Sequence, residues 1–173
     1  MNAVSRGLLA GFVATVPMTF WLKLLHGGSP HRKLDPLPPR QITMNVAEAA
    51  GVRERLDEED RSSATLAAHF SFGAASGAAY SALERKWPGP AIAKGVAYGL
   101  AVWAAAYAVA LPALHLQPAP QDRPRRRNAL MISAHLIWGG ALALGSELLR
   151  QESEPPARYL RRKRPRNSRR RPA

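Results

Sequence analysis

Cysteine is absent from the 173 residues, which excludes disulfides, thiolate catalysis and cysteine-based metal sites. The chain also lacks a nucleophile with a neighbouring base, a carboxylate pair within an apolar stretch, and a glycine-rich loop that would cradle phosphate, so no enzyme is expected. The third lack is of charge, and it is local. A mean hydropathy of -0.23 with 25 Lys and Arg against 12 Asp and Glu describes an ordinary basic soluble domain. Yet no Asp, Glu, Lys or Arg occurs between Arg6 and Lys23, Arg61 and Glu84, Lys94 and Asp122, or Arg127 and Glu147, gaps of 16, 22, 27 and 19 residues. A hydrocarbon core about 30 Å thick takes roughly 20 mostly apolar helical residues, so these gaps read as membrane spans.

The expected fold class is therefore all-α: an integral membrane bundle of four transmembrane helices over residues 1–150, with a short surface helix in the first loop. The spans are placed at about residues 7–25, 63–83, 91–116 and 128–149. The first contains Pro17, which should kink it, and Lys23, close enough to one end to snorkel. A cleaved signal peptide is the competing reading of this segment, but no small-x-small cleavage site follows it. The second is rich in Ala, Gly and Ser. In lipid such residues let helix backbones approach closely, and Gly73 and Gly77, Gly95 and Gly99, and Gly139 are the packing positions of the second, third and fourth spans. The same faces also admit a homo-oligomer.

The loop from residue 26 to 62 carries Pro38 and Pro39, which suit the start of a helix. Ile42, Val46 and Ala49 then share one side of a short amphipathic helix lying on the membrane or capping the bundle. Asp57 to Asp60 complement the dipole at the start of the second span. Residues 151–173 hold nine Lys and Arg and two Glu, +7 of the formal +13. This Arg-rich tail has too little apolar surface to order itself and should be disordered. Anionic lipid headgroups are its expected partner. Nucleic acid is disfavoured because only Tyr159 interrupts the basic run.

Four spans place both termini on one side with the 85–94 turn. With Lys23 left in its span, that side carries fourteen Lys and Arg against ten on the other, which puts the termini in the cytoplasm under the positive-inside rule. The segments GLLAGFVATVPMT, PLPPRQIT, HFSFGAASGAAY and SAHLIWGGALALGSELL resemble the YagU-like family of small bacterial inner-membrane proteins, over roughly residues 7–149. The resemblance implies a helical inner-membrane protein with no assigned reaction, and it carries over no catalytic residue.

Ionisable residues within spans are costly and mark function by default, and here they are histidines. His69 and His135 lie a similar distance from the same membrane surface, about 10 Å down at 1.5 Å per residue. His115, beside Pro112, is expected near that level. His69, Gly73, Ser76, Gly77 and Tyr80 share a helix face, as do His135, Gly139, Leu142 and Ser146. Both histidines should therefore point into the bundle, forming a polar vestibule with Arg40 and Gln41 as its lid. One reading is a proton-responsive or ligand-binding site, since imidazole titrates near neutral pH. The favoured reading is interhelical hydrogen bonding that sets packing. No metal or other cofactor is expected, because neither an H-x-x-x-H pair nor a carboxylate accompanies the histidines. Two functions follow: first, a non-enzymatic role in envelope integrity or stress tolerance; as the alternative, a small proton-linked transporter or channel subunit using these histidines.

Overall fold

The computed structural model describes residues 1–27 and 37–153, and among them every regular element is a helix, without a strand. α1 spans Ala3–Gly27, α2 Pro38–Ala49 and α3 Glu58–Leu83. α4 (Ala91–Trp103) runs on through a π-helical stretch, Ala104–Ala110, into α5 (Leu111–Ala113), and α6 covers Arg125–Ser153. Three helices are long and apolar enough to cross a membrane: Ala3–His26, Ala91–Ala113 and Arg125–Glu152. α3 has the length, at 26 residues, but its Ala, Gly and Ser keep its hydropathy below the other three.

The helix ends follow from local chemistry. α2 begins on Pro38, whose missing N–H costs nothing in a first turn. It ends on Gly51, in the left-handed region at φ 69°, with Gly51 N–H donating to Glu48 O and Val52 N–H to Ala47 O. That pair of bonds is the Schellman motif, and glycine adopts its backbone without steric cost. Asp57 caps α3 by accepting from Asp60 N–H at 2.8 Å, and Glu58, Glu59 and Asp60 fill the first turn. α1 continues unbroken through Pro17.

Packing is set by residues without side chains. α1 and α3 run antiparallel, with Gly7 against Gly77 and Gly11 against Gly73. A Cβ on Gly77 would collide with the Gly7 carbonyl oxygen and would lie 2.7 Å from the Gly11 Cα. α4 and α6 repeat the arrangement: Gly95 faces Gly139, and Gly99 faces the His135 backbone. Between these two pairs α1 lies along α6, with Ala10 beside Gly145. Trp21 Nε1 donates to Ser133 Oγ at 2.9 Å, and Trp138 Nε1 to Gly11 O at 3.4 Å. The lateral order is thus α3, α1, α6, α4, up and down in alternation, while α3 and α4 scarcely touch. Ala10, Ala14, Leu22, Tyr80, Trp138 and Leu142 form the centre of the core.

The outside is apolar as well. Leu8, Phe12, Val16 and Phe20 on α1, Phe72 on α3, and Leu144 and Leu148 on α6 are all exposed. Soluble monomers rarely present so continuous an apolar surface. The charged residues gather at the two ends of the helices and in the connections.

Two expectations need correction. The inner side of α2 is Pro38, Met44 and Ala47, whereas Val46 and Ala49 are exposed. Gln41 and Asn45 hydrogen-bond to the segment after α5 and to α6, and those bonds fix the rotation of α2. The last helix also extends to Ser153, three residues into the segment assigned to the tail. The remainder of the Arg-rich tail, with its expected disorder and headgroup contacts, lies outside the described residues.

Candidate functional site

Because α3 and α4 barely meet, the bundle is open along one seam. Low in the seam Tyr98 on α4 donates its hydroxyl proton to Ser76 O on α3 at 2.8 Å. The Tyr98 ring stacks at a tilt between Tyr80, 5.2 Å away, and Trp138, 6.1 Å away. Above this floor the seam widens into a chamber of about 300 Å³, at the lower end of the range for small-molecule sites. α1 contributes Thr15 and Met18 to its wall; α3 contributes His69, Phe72 and Gly73. The opposite wall is Ala106 and Tyr107 of the π-helical stretch with Met131, His135 and Trp138 of α6. Pro39, Ile42 and Thr43 of α2 form the roof. Among the described residues, no Asp, Glu, Lys or Arg lines it.

His135 is 5% exposed. Its Nδ1 lies 2.8 Å from Met131 O, one turn back on its own helix. A carbonyl oxygen only accepts, so Nδ1 donates, and in the neutral ring Nε2 is left as an acceptor. Tyr107 meets the His135 ring edge-on with centroids 5.9 Å apart. Across the chamber, the Nε2 of His69 is buried and has no hydrogen-bond partner. An unpaired buried polar atom costs about 1–3 kcal/mol, so this nitrogen is a standing demand for a partner. Among the described residues no group of three or more His, Asp or Glu is gathered as metal ligands would be.

The roof is tied down on both sides. Arg40 pairs with Glu58 at 2.7 Å and donates to Ser62 at 3.4 Å, linking α2 to α3. This guanidinium holds the exposed Glu58 carboxyl below the usual carboxylate range. Gln41 Oε1 accepts from Arg127 at 2.8 Å and Gln117 Nε2 at 3.0 Å, and Asn45 Nδ2 donates to Leu116 O at 2.6 Å. α2 therefore bridges the seam that the bundle leaves open.

At the far end of the bundle Glu84 follows α3, with Lys94 Nζ donating to its carbonyl oxygen at 3.1 Å. Glu147 and Arg150 form an ion pair on α6. Burial pushes the Glu84 carboxyl up, while Arg6, Lys94 and Arg150 pull it down and Glu147 adds to the rise.

Of the residues expected to form a polar vestibule, His69 and His135 share one wall-to-wall chamber. Arg40 and Gln41 clamp its roof without lining it. His115 is elsewhere: it is exposed, at φ 55°, after the end of α5. Its N–H donates to Pro112 O and that of Leu116 to Leu111 O, so it occupies the position that Gly51 holds after α2. The chain turns there after Leu111, the last chamber residue of this segment, and carries the imidazole away from the chamber. Gly73 and Gly77 lie at the α1 crossing, and Gly95, Gly99 and Gly139 at the α4–α6 crossing. Gly7 and Gly11, the other half of the first crossing, went unread in the sequence although GLLAG has the same four-residue spacing. Thr15 and Tyr107 carried no signal, because a hydroxyl on a helix face says nothing of the gap opposite.

Among models of protein families, one described as a protein of unknown function (DUF1440) matches residues 30–144, a stretch that holds every chamber residue except Thr15 and Met18. No curated protein and no solved structure matches the chain.

Proposed function

The chain belongs to DUF1440, a family of proteins of unknown function, and on that premise we propose a four-span membrane protein that binds a small, mainly apolar molecule in the chamber beneath α2, without enzymatic chemistry. The observation that carries this reading is the chamber itself, with a histidine on each of two facing helices in the seam that α2 closes. α3 counts as the fourth span because it lies antiparallel along α1 from Phe70, beside Phe12, to Gly77, beside Gly7. A helix packed that closely against a membrane-crossing partner shares its depth, and its low hydropathy reflects the small residues that the crossing requires.

In this role the chamber is the binding stage of a small transporter, and the histidines pair with the ligand or a proton. The bacterial inner membrane, cytoplasmic termini and kinship with YagU-like proteins belong to the same proposal, supported by the sequence resemblance and the Lys/Arg count. A role in envelope integrity is the second reading, favoured by the two interlocked glycine crossings, which make the bundle rigid. Flux across a pH gradient in proteoliposomes separates the two. Ala106→Trp fills the chamber from the π-helical wall and should abolish flux while leaving the bundle folded. His69→Ala and His135→Ala should change its pH dependence. Wild-type flux in the Ala106→Trp protein would overturn the binding role, and histidine variants that lose stability alone would favour the envelope role.

A further inference from the structure

We infer that the ligand of the chamber is an apolar chain ending in a single O–H group, an alcohol or a carboxylic acid, that enters from the bilayer between α3 and α4. The inference rests on the chamber reading above and adds the chemistry of what fills it. His135 spends its Nδ1 proton on Met131 O, and no described residue donates to its Nε2. Because that bond ties one ring edge back to α6, the Nε2 edge is turned away from the helix that carries it. A ligand that satisfies this nitrogen has to bring a donor. His69 Nε2, also without a partner, accepts or donates according to its tautomer. An ester, ether or ketone brings acceptors alone, and an ammonium brings donors alone together with a charge that no carboxylate in the wall would balance. A hydroxyl supplies both roles and stays neutral, and a carboxylic acid does the same in its protonated form.

The rest of the wall specifies the rest of the molecule. Thr15 and Thr43 donate their hydroxyl protons to Gly11 O and Pro39 O, and Met18, Phe72, Val102, Leu111 and Met131 offer only apolar contact, so beyond its head the ligand is mainly hydrocarbon. Phe72 lines the chamber and is at the same time 55% exposed on the outer surface, which places the mouth on the face that meets lipid. α2 is pinned on both sides over the roof, whereas among the described residues the α3–α4 seam above the Tyr98–Ser76 bond has nothing comparable across it. A chain already dissolved in the bilayer therefore has the shorter way in.

The test uses the full-length protein in phosphatidylcholine nanodiscs and a decanol carrying a photoreactive diazirine on its chain. Labelling should saturate and map by mass spectrometry to chamber residues. Decanol or decanoic acid should compete about tenfold or more better than decyl methyl ether, which keeps an acceptor but has lost the donor; whichever of the two competes better identifies the natural head group. In His135→Phe the three competitors should become equivalent. If the ether competes as well as decanol in the wild-type protein, the head-group inference is wrong while the chamber reading stands. If labelling never saturates, or maps only to the lipid-facing side of α1 and α6, both fall. The comparison of competitors in the wild-type protein does not depend on how well His135→Phe folds.

Discussion

Gly77→Ala against Gly140→Ala isolates the close approach of α1 and α3. Both glycines are inside helices, where alanine is intrinsically better by roughly 1 kcal/mol. At Gly140 a new Cβ meets nothing within 4 Å, so the substitution should raise stability by about that amount. At Gly77 the same methyl meets the Gly7 carbonyl oxygen and would sit 2.7 Å from the Gly11 Cα and 2.9 Å from its nitrogen. These are backbone atoms in the middle of a helix and have no rotamer to yield, so the helices must separate. Overpacking of that kind costs about 1–3 kcal/mol, and separation also loosens Gly73 against Thr15. The two variants should therefore differ by about 1–3 kcal/mol, which at about 2–4 °C per kcal/mol for a chain of this length is a gap of roughly 2–12 °C in midpoint. Thermal unfolding of the purified proteins in detergent, followed by circular dichroism, measures it. Equal gains in both variants would show that α1 and α3 do not meet at these glycines.

Two further outcomes follow from the helix ends. His115→Gly should be stabilising by up to about 1 kcal/mol, since an L side chain in the left-handed region costs about 1–2 kcal/mol and glycine returns part of that through chain entropy; the exposed imidazole forfeits little, and the same unfolding assay reads it. Glu84→Gln should raise the midpoint at pH 7. Burial holds the folded carboxyl above the ordinary value of 4.5, so its ionised form is a cost present at high pH and relieved as pH falls, and the advantage of Gln should vanish below about that value. A pH series of melting points that shows a constant gap, or a loss at pH 7, contradicts it.

Much of this architecture can be read in the sequence from where charge is missing. The gaps between charged residues mark the four long helices, and the small residues mark where those helices touch. His69 and His135 were legible for a related reason: each sits on the small-residue side of its helix, which has to face inward. The neighbour order was not. Gly-xxx-Gly spacing on α1, α3 and α4 says that each has a close partner without saying which, and only the structure joins α1 to α3 and α4 to α6 and leaves the seam between α3 and α4. His115 was misplaced because its position at the end of the third span suggested the level of the other two histidines; the chain instead closes α5 at Ala113 and turns through a left-handed His115. The rotation of α2 was legible only in part: Ile42 does face the chamber, but Val46 and Ala49 are exposed, because the hydrogen bonds of Gln41 and Asn45 decide which side turns inward.

The central claim, that α3 crosses the bilayer with the other three helices, has a direct test that the absence of cysteine makes clean. Single cysteines at Glu54, Lys86 and Gln121 sit in three successive connections, and a membrane-impermeant maleimide applied to sealed vesicles reports the side of each. Glu54→Cys and Gln121→Cys should label from one side and Lys86→Cys only from the other. Labelling of Glu54→Cys and Lys86→Cys together, with Gln121→Cys opposite, would mean that α3 does not cross, and the seam and its chamber would have no place in the membrane.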